Sequence, residues 1–329
     1  MSVECVVGVL IEHDQGVAKP VSFEVLSAAR KLADQVSGKV IALYFSHVAS
    51  FEADDFFQQG ADEVYFLTHP NLQKYTHENY AFALLQQHKK HSFDYFILSA
   101  TNNGKELSAI LSAQLGVGVA TDCISLFVSE DGDVEAVRPV FSGKAYSTVR
   151  FRGNKPHILS LRPNVFRDSP FSNQGEIFEE KINLPEFSQR AQSIVKQVGS
   201  QLDITEARVV VSGGLGLQGP ENFKLLEELA NILGGAVGAS RPVVDNGWRD
   251  YSNQVGQTGR TVSPDLYFAC GISGAVQHLA GMSSSRCIVA INSDPNAAIF
   301  SVADYGIVGD VVKVIPALIR AFKKTPSSY

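Results

Sequence analysis

The segment FACGISGAVQHLAGM, residues 268–282, predicts a β-strand that ends at Gly271 and a helix that begins near Ala275. The apolar run before the turn is typical of strands that are buried on both faces of a parallel sheet. Ser273 and Gly274 lie in the turn, where the first N–H groups of a helix have no partner within the helix. The turn is therefore either an ordinary strand-to-helix connection with a serine cap, or a site that binds phosphate through backbone amides.

Residues 197–329 repeat this alternation of strand and helix. The segments ARVVVSGG (207–214) and RCIVAINSD (286–294) predict strands, whereas PENFKLLEELANILGG (220–235) and VVKVIPALIRAF (311–322) predict helices. Ligands of open parallel sheets lie beyond the carboxyl ends of the strands, where the turns converge. Sixteen of the 27 glycines belong to this region, and glycine allows a backbone to approach a ligand closely. The sequence therefore favours this region as the place of a binding site.

Residues 1–196 predict a second doubly wound α/β domain. Strands are predicted at CVVGVLIE, VIALYF, ADEVYFLT and FDYFILSA, and helices at 20–38, 71–91 and 104–116. Two hairpins, 123–141 and 146–163, are interpreted as antiparallel additions to this domain. Residues 166–200 are predicted to form a linker with a strand at EIFEEKINL, 176–184. The predicted domains are therefore 1–196 and 197–329, each with a mostly parallel sheet and flanking helices.

Composition excludes several classes of protein. The 329 residues are 45% hydrophobic and 19% charged, which is typical of folded globular chains. A net charge of -6 gives no reason to expect nucleic acid or an anionic membrane as a partner. The N-terminus lacks a signal-peptide pattern and no apolar stretch reaches 18 residues, so we expect a cytoplasmic protein without membrane insertion. A processed organellar protein would show the same features.

The four cysteines are scattered, at positions 5, 123, 270 and 287, without a CxxC pair. Two of them lie in apolar runs that predict buried free thiols, which suit a reducing compartment. Iron–sulfur and structural zinc sites need clustered ligands, so we expect no metal.

Three further features are candidates for a ligand site, each with a plainer interpretation. His278 follows the 271–274 turn and is either a structural histidine or a group that faces a ligand. Arg241 is either a surface residue or, placed rigidly before Pro242, an inward-pointing cation. The segment VGQTGR, 255–260, is either a plain turn or a loop that presents hydroxyl and amide donors to a ring. No serine-hydrolase elbow or zinc-protease motif is present. The pattern indicates a cofactor cradle without an evident acid, base or nucleophile.

Taken together, four segments resemble the FAD-binding domain of the electron transfer flavoprotein alpha subunit. They are SGGLGL, GASRPVVDNGW, QVGQTGRTVSPDLYFACGISGAVQHLAGM and IVAINSDPNAAIFSVADYGIVGD, within about residues 207–322. The first domain resembles the same family more weakly, chiefly through SATNNGKELSAILSAQLGVGVATD. The resemblance implies a Rossmann-like C-terminal domain that holds one FAD, in a heterodimer with a beta subunit.

The resemblance also implies the role of individual residues. Arg241 would lie over the flavin ring, Thr258 would hydrogen-bond around N5, and His278 would reach the O2 edge of the flavin. Asn292 and Asp310 would contact the adenosine half. The full set of cofactor-binding residues implied is Ser240, Arg241, Val255, Gly256, Gln257, Thr258, Ser273, Gly274, Ala275, Val276, Gln277, His278, Asn292, Asp310 and Val311.

One position departs from the family. An arginine is usual in the SGGRGL motif, and this chain has Leu215 there. One cationic contact to FAD is thus missing, and Arg249 or Arg260 are the candidates to replace it.

The function that the resemblance implies is electron transfer rather than substrate conversion. The carrier would accept electrons singly from flavoprotein dehydrogenases, such as the acyl-CoA dehydrogenases of fatty acid β-oxidation. It would pass them to a membrane quinone oxidoreductase. Such a carrier needs no general base, because the protein sets the flavin's reduction potential through charge and hydrogen bonds at the edge of the ring. Arg241 and a protonated His278 would together shift the flavin potential by roughly 100 mV. The alternatives are a nucleotide-dependent enzyme, such as an NAD-dependent deacylase, and a structural subunit that has lost its flavin.

Overall fold

A computed structural model describes residues 4–48, 53–141, 143–167, 169–171, 174–186 and 202–324. The chain divides into two units. Unit 1 comprises Met1–Val140 and Ala145–Lys196, and unit 2 comprises Phe141–Lys144 and Gln197–Tyr329. The boundary predicted near residue 197 lies outside the described residues and stays a prediction. In the described part of the chain, no helix is long and apolar enough to cross a membrane.

Unit 1 contains strands and helices whose bounds follow in chain order. The strands are β1 (Cys5–Ile11), β2 (His13–Asp14), β3 (Val17–Ala18), β4 (Gly38–Ser46), β5 (Glu63–Thr68), β6 (Tyr95–Ser99), β7 (Val119–Cys123), β8 (Ser125–Val128), β9 (Val134–Val140), β10 (Ala145–Arg150), β11 (His157–Leu161) and β12 (Glu176–Lys181). The helices are α1 (Pro20–Gln35), α2 (Asp54–Gln58), α3 (His77–His91) and α4 (Asn102–Leu115). Seven strands form one parallel sheet in the order β12-β5-β4-β1-β6-β11-β7.

This sheet confirms the predicted doubly wound architecture. Its central strands β1 and β4 are almost fully buried, as continuous apolar runs require when both faces are covered. The strand predicted within 176–184 is also confirmed and forms the edge strand β12. The helix predicted from residue 71 begins six residues later. Pro70–Leu72 form a single 3₁₀ turn, and Thr76 takes an extended conformation directly before α3.

The second predicted hairpin, 146–163, is wrong. Strand β10 pairs with β9 instead, in a separate antiparallel sheet of order β10-β9-β8. Strand β11 enters the large sheet between β6 and β7, parallel to both. The reason is burial, since all five residues of HILSL are buried. A half-exposed hairpin would leave part of this apolar run in water.

Unit 2 is a smaller α/β unit. Its strands are β13 (Val209–Gly213), β14 (Ala236–Ala239), β15 (Leu266–Cys270), β16 (Ile288–Asn292) and β17 (Tyr305–Val308), and its helices are α5 (Phe223–Ile232), α6 (Arg241–Asp245), α7 (Val276–Met282) and α8 (Val311–Lys324). The five strands are parallel and lie in the order β14-β13-β15-β16-β17.

The two faces of this sheet carry separate apolar layers. Phe268 and Cys270 of β15 pack with α5 and α8 on one face. Tyr267 and Ala269, the alternate residues, pack with Val255 and Met282 on the other. The strand order reverses at β13, which lies between β14 and β15. Turns on the carboxyl side of such a reversal diverge and leave a crevice, and this places a candidate site after β13 and β15.

Candidate functional site

A cavity of about 530 Å³ occupies the carboxyl edge of the unit 2 sheet. The turns after β13, β14 and β15 contribute to its wall, together with the loop that precedes β15. The wall is formed by Gly214, Leu215, Gly216, Ser240, Arg241, Pro242, Gln254, Val255, Gly256, Gln257, Thr258, Gly271, Ile272, Ser273, Ala275, Gln277, His278 and Asn292. No aspartate or glutamate belongs to this described wall.

Glycines let the turns after β13 and β15 touch backbone to backbone. The Gly216 N–H donates to the Gly271 carbonyl at 3.1 Å. A Cβ on Gly216 would lie 2.6 Å from the Gly271 Cα, which no side chain can tolerate without moving the backbone. Gly271 also has φ +65, a left-handed conformation that favours glycine. Close contact of these turns shapes the floor of the cavity.

The loop of residues 254–260 is fixed against α7. The Gln257 N–H donates to the Gln277 carbonyl at 2.7 Å, and the Gly256 N–H donates to the Arg260 carbonyl at 3.1 Å. Gly281 makes this packing possible, because a Cβ there would lie 2.3 Å from the Gly256 nitrogen. The Thr258 hydroxyl accepts a hydrogen bond from the Gln254 amide at 3.0 Å. The loop is therefore a rigid wall rather than a loose turn.

The turn that leads into α7 leaves a row of backbone donors open. Among the described residues, no acceptor takes the N–H groups of Ser273, Gly274, Ala275, Val276 or Gln277. Gly274 has φ +87, and a Cβ on it would lie 2.2 Å from the Ile299 nitrogen. Consecutive unpaired amides form a concave anion-binding surface, so the turn suits the phosphates of a dinucleotide.

His278 lies in the cavity wall with 6% of its surface exposed. Its Nε2 is 2.9 Å from the Tyr267 hydroxyl, whereas its Nδ1 is buried and has no hydrogen bond within the described chain. Burial lowers the pKa of His278 to about 4. The imidazole is therefore neutral near pH 7, which corrects the expectation of a protonated His278 beside the flavin.

Arg241 is the only Arg or Lys side chain in the described wall. It is 62% exposed, and its Nε lies 3.3 Å from the Asp245 carboxylate. The proposed substitutes for the family arginine lie elsewhere. Arg249 pairs with Glu227 and stacks 4.5 Å from the Phe223 ring centroid, and neither Arg249 nor Arg260 belongs to the wall. Leu215 lines the cavity with 46% of its surface exposed.

The structure brings most of the predicted cofactor-binding residues to one cavity. Those in its wall are Ser240, Arg241, Val255, Gly256, Gln257, Thr258, Ser273, Ala275, Gln277, His278 and Asn292. Asn292 holds two turns together, because its amide donates to the Ile272 carbonyl at 2.9 Å and its side-chain oxygen accepts from the Asp294 N–H. The assignment of all these residues to FAD stays a prediction.

Four predicted residues lie outside the wall: Gly274, Val276, Asp310 and Val311. Gly274 lies against the Ile299 backbone. Asp310 caps α8 by accepting from the Val312 N–H at 3.0 Å. Sequence reasoning missed Gly216 and Tyr267. The period-two alternation of β15 could have indicated that Tyr267 faces the α7 side, where a buried tyrosine needs a partner for its hydroxyl.

A second cavity, of about 730 Å³, lies in unit 1 at the carboxyl edge of β1 and β4. Its wall contains two carboxylate side chains, Glu12 and Asp14, and two lysines, Lys19 and Lys74. The Thr101 hydroxyl donates to Glu12 Oε1 at 2.7 Å and accepts from the Gly104 N–H at 3.1 Å. The Glu12 carboxylate thus lies at the N-terminus of α4, the place that an external phosphate would take.

Comparison with known proteins gives the family. The sequence profile of the electron transfer flavoprotein domain matches residues 7–185, and that of the electron transfer flavoprotein FAD-binding domain matches residues 203–283. The chain belongs to the electron transfer flavoprotein family. The resemblance found in the sequence is confirmed, and so is FAD as the cofactor.

Relatives match over almost their whole length. Electron transfer flavoprotein subunit alpha of Thermoanaerobacterium thermosaccharolyticum is 42% identical over 320 residues, which cover 96% of this chain and 97% of that protein. The Bacillus subtilis subunit alpha is 41% identical over 319 residues, with 96% and 97% covered. Protein FixB of Azotobacter vinelandii is 38% identical over 329 residues, with 96% and 91% covered.

The cavity of unit 2 has features that fit FAD. The open amides suit a pyrophosphate, and the glycines of the turns let a ligand approach the backbone closely. The FAD-binding profile ends at residue 283, before Asn292 and Asp310. The contact of these two residues with the adenosine half therefore rests on the resemblance alone.

Proposed function

We propose that this chain is the FAD-bearing subunit of a heterodimer with an electron transfer flavoprotein beta subunit. It accepts electrons singly from flavoprotein dehydrogenases, such as acyl-CoA dehydrogenases, and passes them to a membrane quinone oxidoreductase. The observation that carries the proposal is the unit 2 cavity, whose described wall combines open backbone amides, a neutral histidine and one cation. The relatives named subunit alpha support the heterodimer.

Bound FAD supplies the redox chemistry of this site, and the residues of the chain bind it and set its potential. The turn of Ser273, Ala275 and Gln277, which line the cavity, would hold the pyrophosphate through backbone N–H groups. Arg241 favours negative charge on the flavin ring. At a separation of about 4 Å a full charge contributes roughly 4 kcal/mol, but the exposure of Arg241 and its pairing with Asp245 reduce this to about 1 kcal/mol.

The wall offers little for acid–base catalysis, which favours a carrier over an enzyme. His278 is buried with a pKa lowered to about 4, so it is a poor proton acceptor near pH 7. No carboxylate lines the described wall. We also propose that the protein is located in a bacterial cytoplasm and takes part in fatty acid β-oxidation. The four free cysteines and the bacterial relatives support the first of these.

Co-expression of the chain with a beta subunit tests the proposal. We expect a yellow complex with flavin absorbance that is reduced by an acyl-CoA dehydrogenase and its substrate, and reoxidised by a quinone oxidoreductase. A complex that stays colourless after addition of FAD would overturn the proposal and favour a subunit that has lost its flavin. Leu215, which replaces the family's FAD-contacting arginine, would then be part of that loss. Turnover of NAD by the purified complex would instead favour a nucleotide-dependent enzyme.

A further inference from the structure

The turn between β15 and α7 is held in place through its carbonyl groups. The carbonyl oxygens of four successive residues each accept a hydrogen bond from another part of unit 2. They are Cys270 from the Gly214 N–H at 2.9 Å, Gly271 from the Gly216 N–H at 3.1 Å, Ile272 from the Asn292 side-chain amide at 2.9 Å, and Ser273 from the Ile299 N–H at 3.0 Å. Three of these donors are backbone groups, so Asn292 is the one donor in this set that a substitution can remove.

The hydrogen bond from Asn292 fixes the orientation of a whole peptide group. A planar trans peptide points its carbonyl and the following N–H in opposite directions. A donor that fixes the direction of the Ile272 carbonyl therefore also fixes the direction of the Ser273 N–H. Ser273 lines the cavity, and its N–H has no acceptor among the described residues. The direction of this open donor thus depends on a side chain at the end of the neighbouring strand, β16.

We propose that Asn292 is a positioning residue: its amide holds the Ile272–Ser273 peptide so that the Ser273 N–H can donate to the pyrophosphate of bound FAD. This inference rests on the proposed function, which assigns the pyrophosphate to this turn. The FAD-binding profile, residues 203–283, includes the turn but ends before Asn292. Asn292 acts through Ile272, a role that differs from the contact with the adenosine half that the resemblance implies.

The donor and the acceptor in this hydrogen bond are decided by both neighbours of the Asn292 side chain. A backbone carbonyl only accepts, so the group that faces Ile272 is the NH₂ of the amide. The oxygen of the same amide accepts from the Asp294 N–H at 3.0 Å, and a backbone N–H only donates. The reversed amide would place two acceptors together at Ile272 and two donors together at Asp294. Both contacts therefore select the same orientation.

Loss of the Asn292 donor would free the Ile272–Ser273 peptide to rotate. A rotated peptide presents the Ile272 carbonyl oxygen to the phosphates in place of the Ser273 N–H, and an oxygen repels a phosphate. One hydrogen bond to an anion is lost as well. We therefore expect the dissociation constant of FAD to rise by at least about tenfold in Asn292→Ala.

Selective isotope labelling can observe this peptide in the heterodimer. The pair Ile–Ser occurs only twice in the sequence, at 124–125 and 272–273. Carbonyl-¹³C isoleucine and ¹⁵N serine therefore give two signals in an NMR experiment that correlates an N–H with the preceding carbonyl, and Ser125→Ala identifies the other pair. The probe is inorganic pyrophosphate, added to the heterodimer after removal of FAD, because it contains no aromatic ring. We expect the Ser273 amide proton to move downfield at saturating pyrophosphate while the Ser125 signal stays in place.

Asn292→Ala should change both ends of the labelled peptide. We expect the Ile272 carbonyl carbon to move upfield before any ligand is added, because it loses a hydrogen bond. The Ser273 proton should then no longer move at saturating pyrophosphate. Asn292→Asp keeps the oxygen that accepts from Asp294 and loses the donor, so it gives the same test if Asn292→Ala does not fold. Asn296→Ala is the matched control, since Asn296 is exposed on the same connection and does not line the cavity.

The outcomes separate this role from a direct contact and from the proposed function. A full shift of the Ser273 proton in Asn292→Ala would overturn the positioning role and favour direct contact of Asn292 with FAD. A wild-type Ser273 signal that ignores pyrophosphate would overturn the role even in a yellow complex, and so would an equal loss of the shift in Asn296→Ala. A complex that responds to pyrophosphate as expected but stays colourless with FAD would overturn the proposed function and leave the hold of Asn292 on the turn supported.

Discussion

The two parallel sheets differ in what lies at the N-terminus of a helix at their carboxyl edge. In unit 1 the helix that follows β6 meets the chain's own Glu12 carboxylate, which is 8% exposed and accepts from Thr101. In unit 2 the turn after β15 leaves five backbone donors open, and the described cavity wall has no carboxylate. The larger cavity is therefore the one that already contains an anion.

This difference shows that the crevice comes from the topology, but the ligand it admits is decided by a few side chains. The unit 1 wall brings the Lys19 ammonium within 3.9 Å of the Glu12 carboxylate, so an ion pair within the chain already lies there. The unit 2 wall leaves backbone N–H groups without a partner among the described residues, and its one cation, Arg241, is mostly exposed beside Asp245. Cavity volume alone would have favoured unit 1.

Replacing Gly216 should break the unit 2 cavity most severely. A Cβ at Gly216 would strike the Gly271 backbone at 2.6 Å, so we expect Gly216→Ala to lower the free energy of unfolding by about 3 kcal/mol. Flavin retention should fall by more than about tenfold, which absorbance of the purified heterodimer measures. Gly219→Ala is the control, because the three atoms nearest to its Cβ all belong to the flexible Glu221 side chain. Equal losses in both variants would refute the backbone contact as the cause.

Acid should destabilise unit 2 through His278. Burial lowers its pKa from 6.5 to about 4, so between these values the unfolded chain binds more protons than the folded one. The stability from this group is complete above about pH 6.5 and is lost as the pH falls toward 4, by about 3 kcal/mol.

The variant His278→Gln should remove that part of the acid dependence. Fluorescence of Trp248, the one tryptophan in the sequence, follows the unfolding of unit 2 specifically. A variant with the same pH dependence as the wild type would show that His278 is not the titrating group.

Thr101→Ala tests the opposite edge, in unit 1. The substitution removes both the cap of α4 and the hydrogen bond to Glu12, at a cost of about 1–2 kcal/mol. Amide hydrogen exchange in α4 should therefore accelerate while flavin absorbance stays unchanged. The matched variant is Thr76→Ala, because Thr76 precedes α3 without a side-chain capping bond and should cost less. Loss of flavin in Thr101→Ala would contradict the separation of the two sites.

Arg241→Ala should have the smallest effect. Loss of a mostly exposed cation that also contacts Asp245 is worth about 1 kcal/mol, which lowers the flavin potential by about 40 mV. Spectroelectrochemical titration of the heterodimer measures the shift. Arg286→Ala serves as the control, since Arg286 is 66% exposed, lies 3.9 Å from Asp265 and does not line the cavity. An unchanged potential would show that Arg241 does not set the flavin potential.

The strands of both sheets could be predicted because their apolar runs are long and are bounded by turn residues. Strand β15 and its turn at Gly271 are a clear case. Strand β11 was misplaced, since HILSL looks the same whether its partner is a hairpin neighbour or a distant parallel strand. Only the burial of all five residues settles the pairing.

The site could be predicted in outline, but not the electrostatics that depend on tertiary contacts. Glycines and the family motif indicated the cavity wall. The charge of His278 depends on its burial beside Tyr267, and the spacing of the two residues does not reveal that contact. Likewise, the sequence around Arg249 does not reveal that this arginine pairs with Glu227. It therefore does not show that Arg249 leaves the arginine missing at position 215 unreplaced.

FAD that binds the folded chain ties the durability of the protein to its supply of cofactor, and the N–H groups of Ser273–Gln277, open among the described residues, are donors that the chain itself leaves unused. A ligand that binds only the folded chain stabilises it by mass action, by about 4 kcal/mol when its free concentration is a thousand times the dissociation constant. A cell short of riboflavin would then hold less of this subunit, because proteases would clear the unfilled form first.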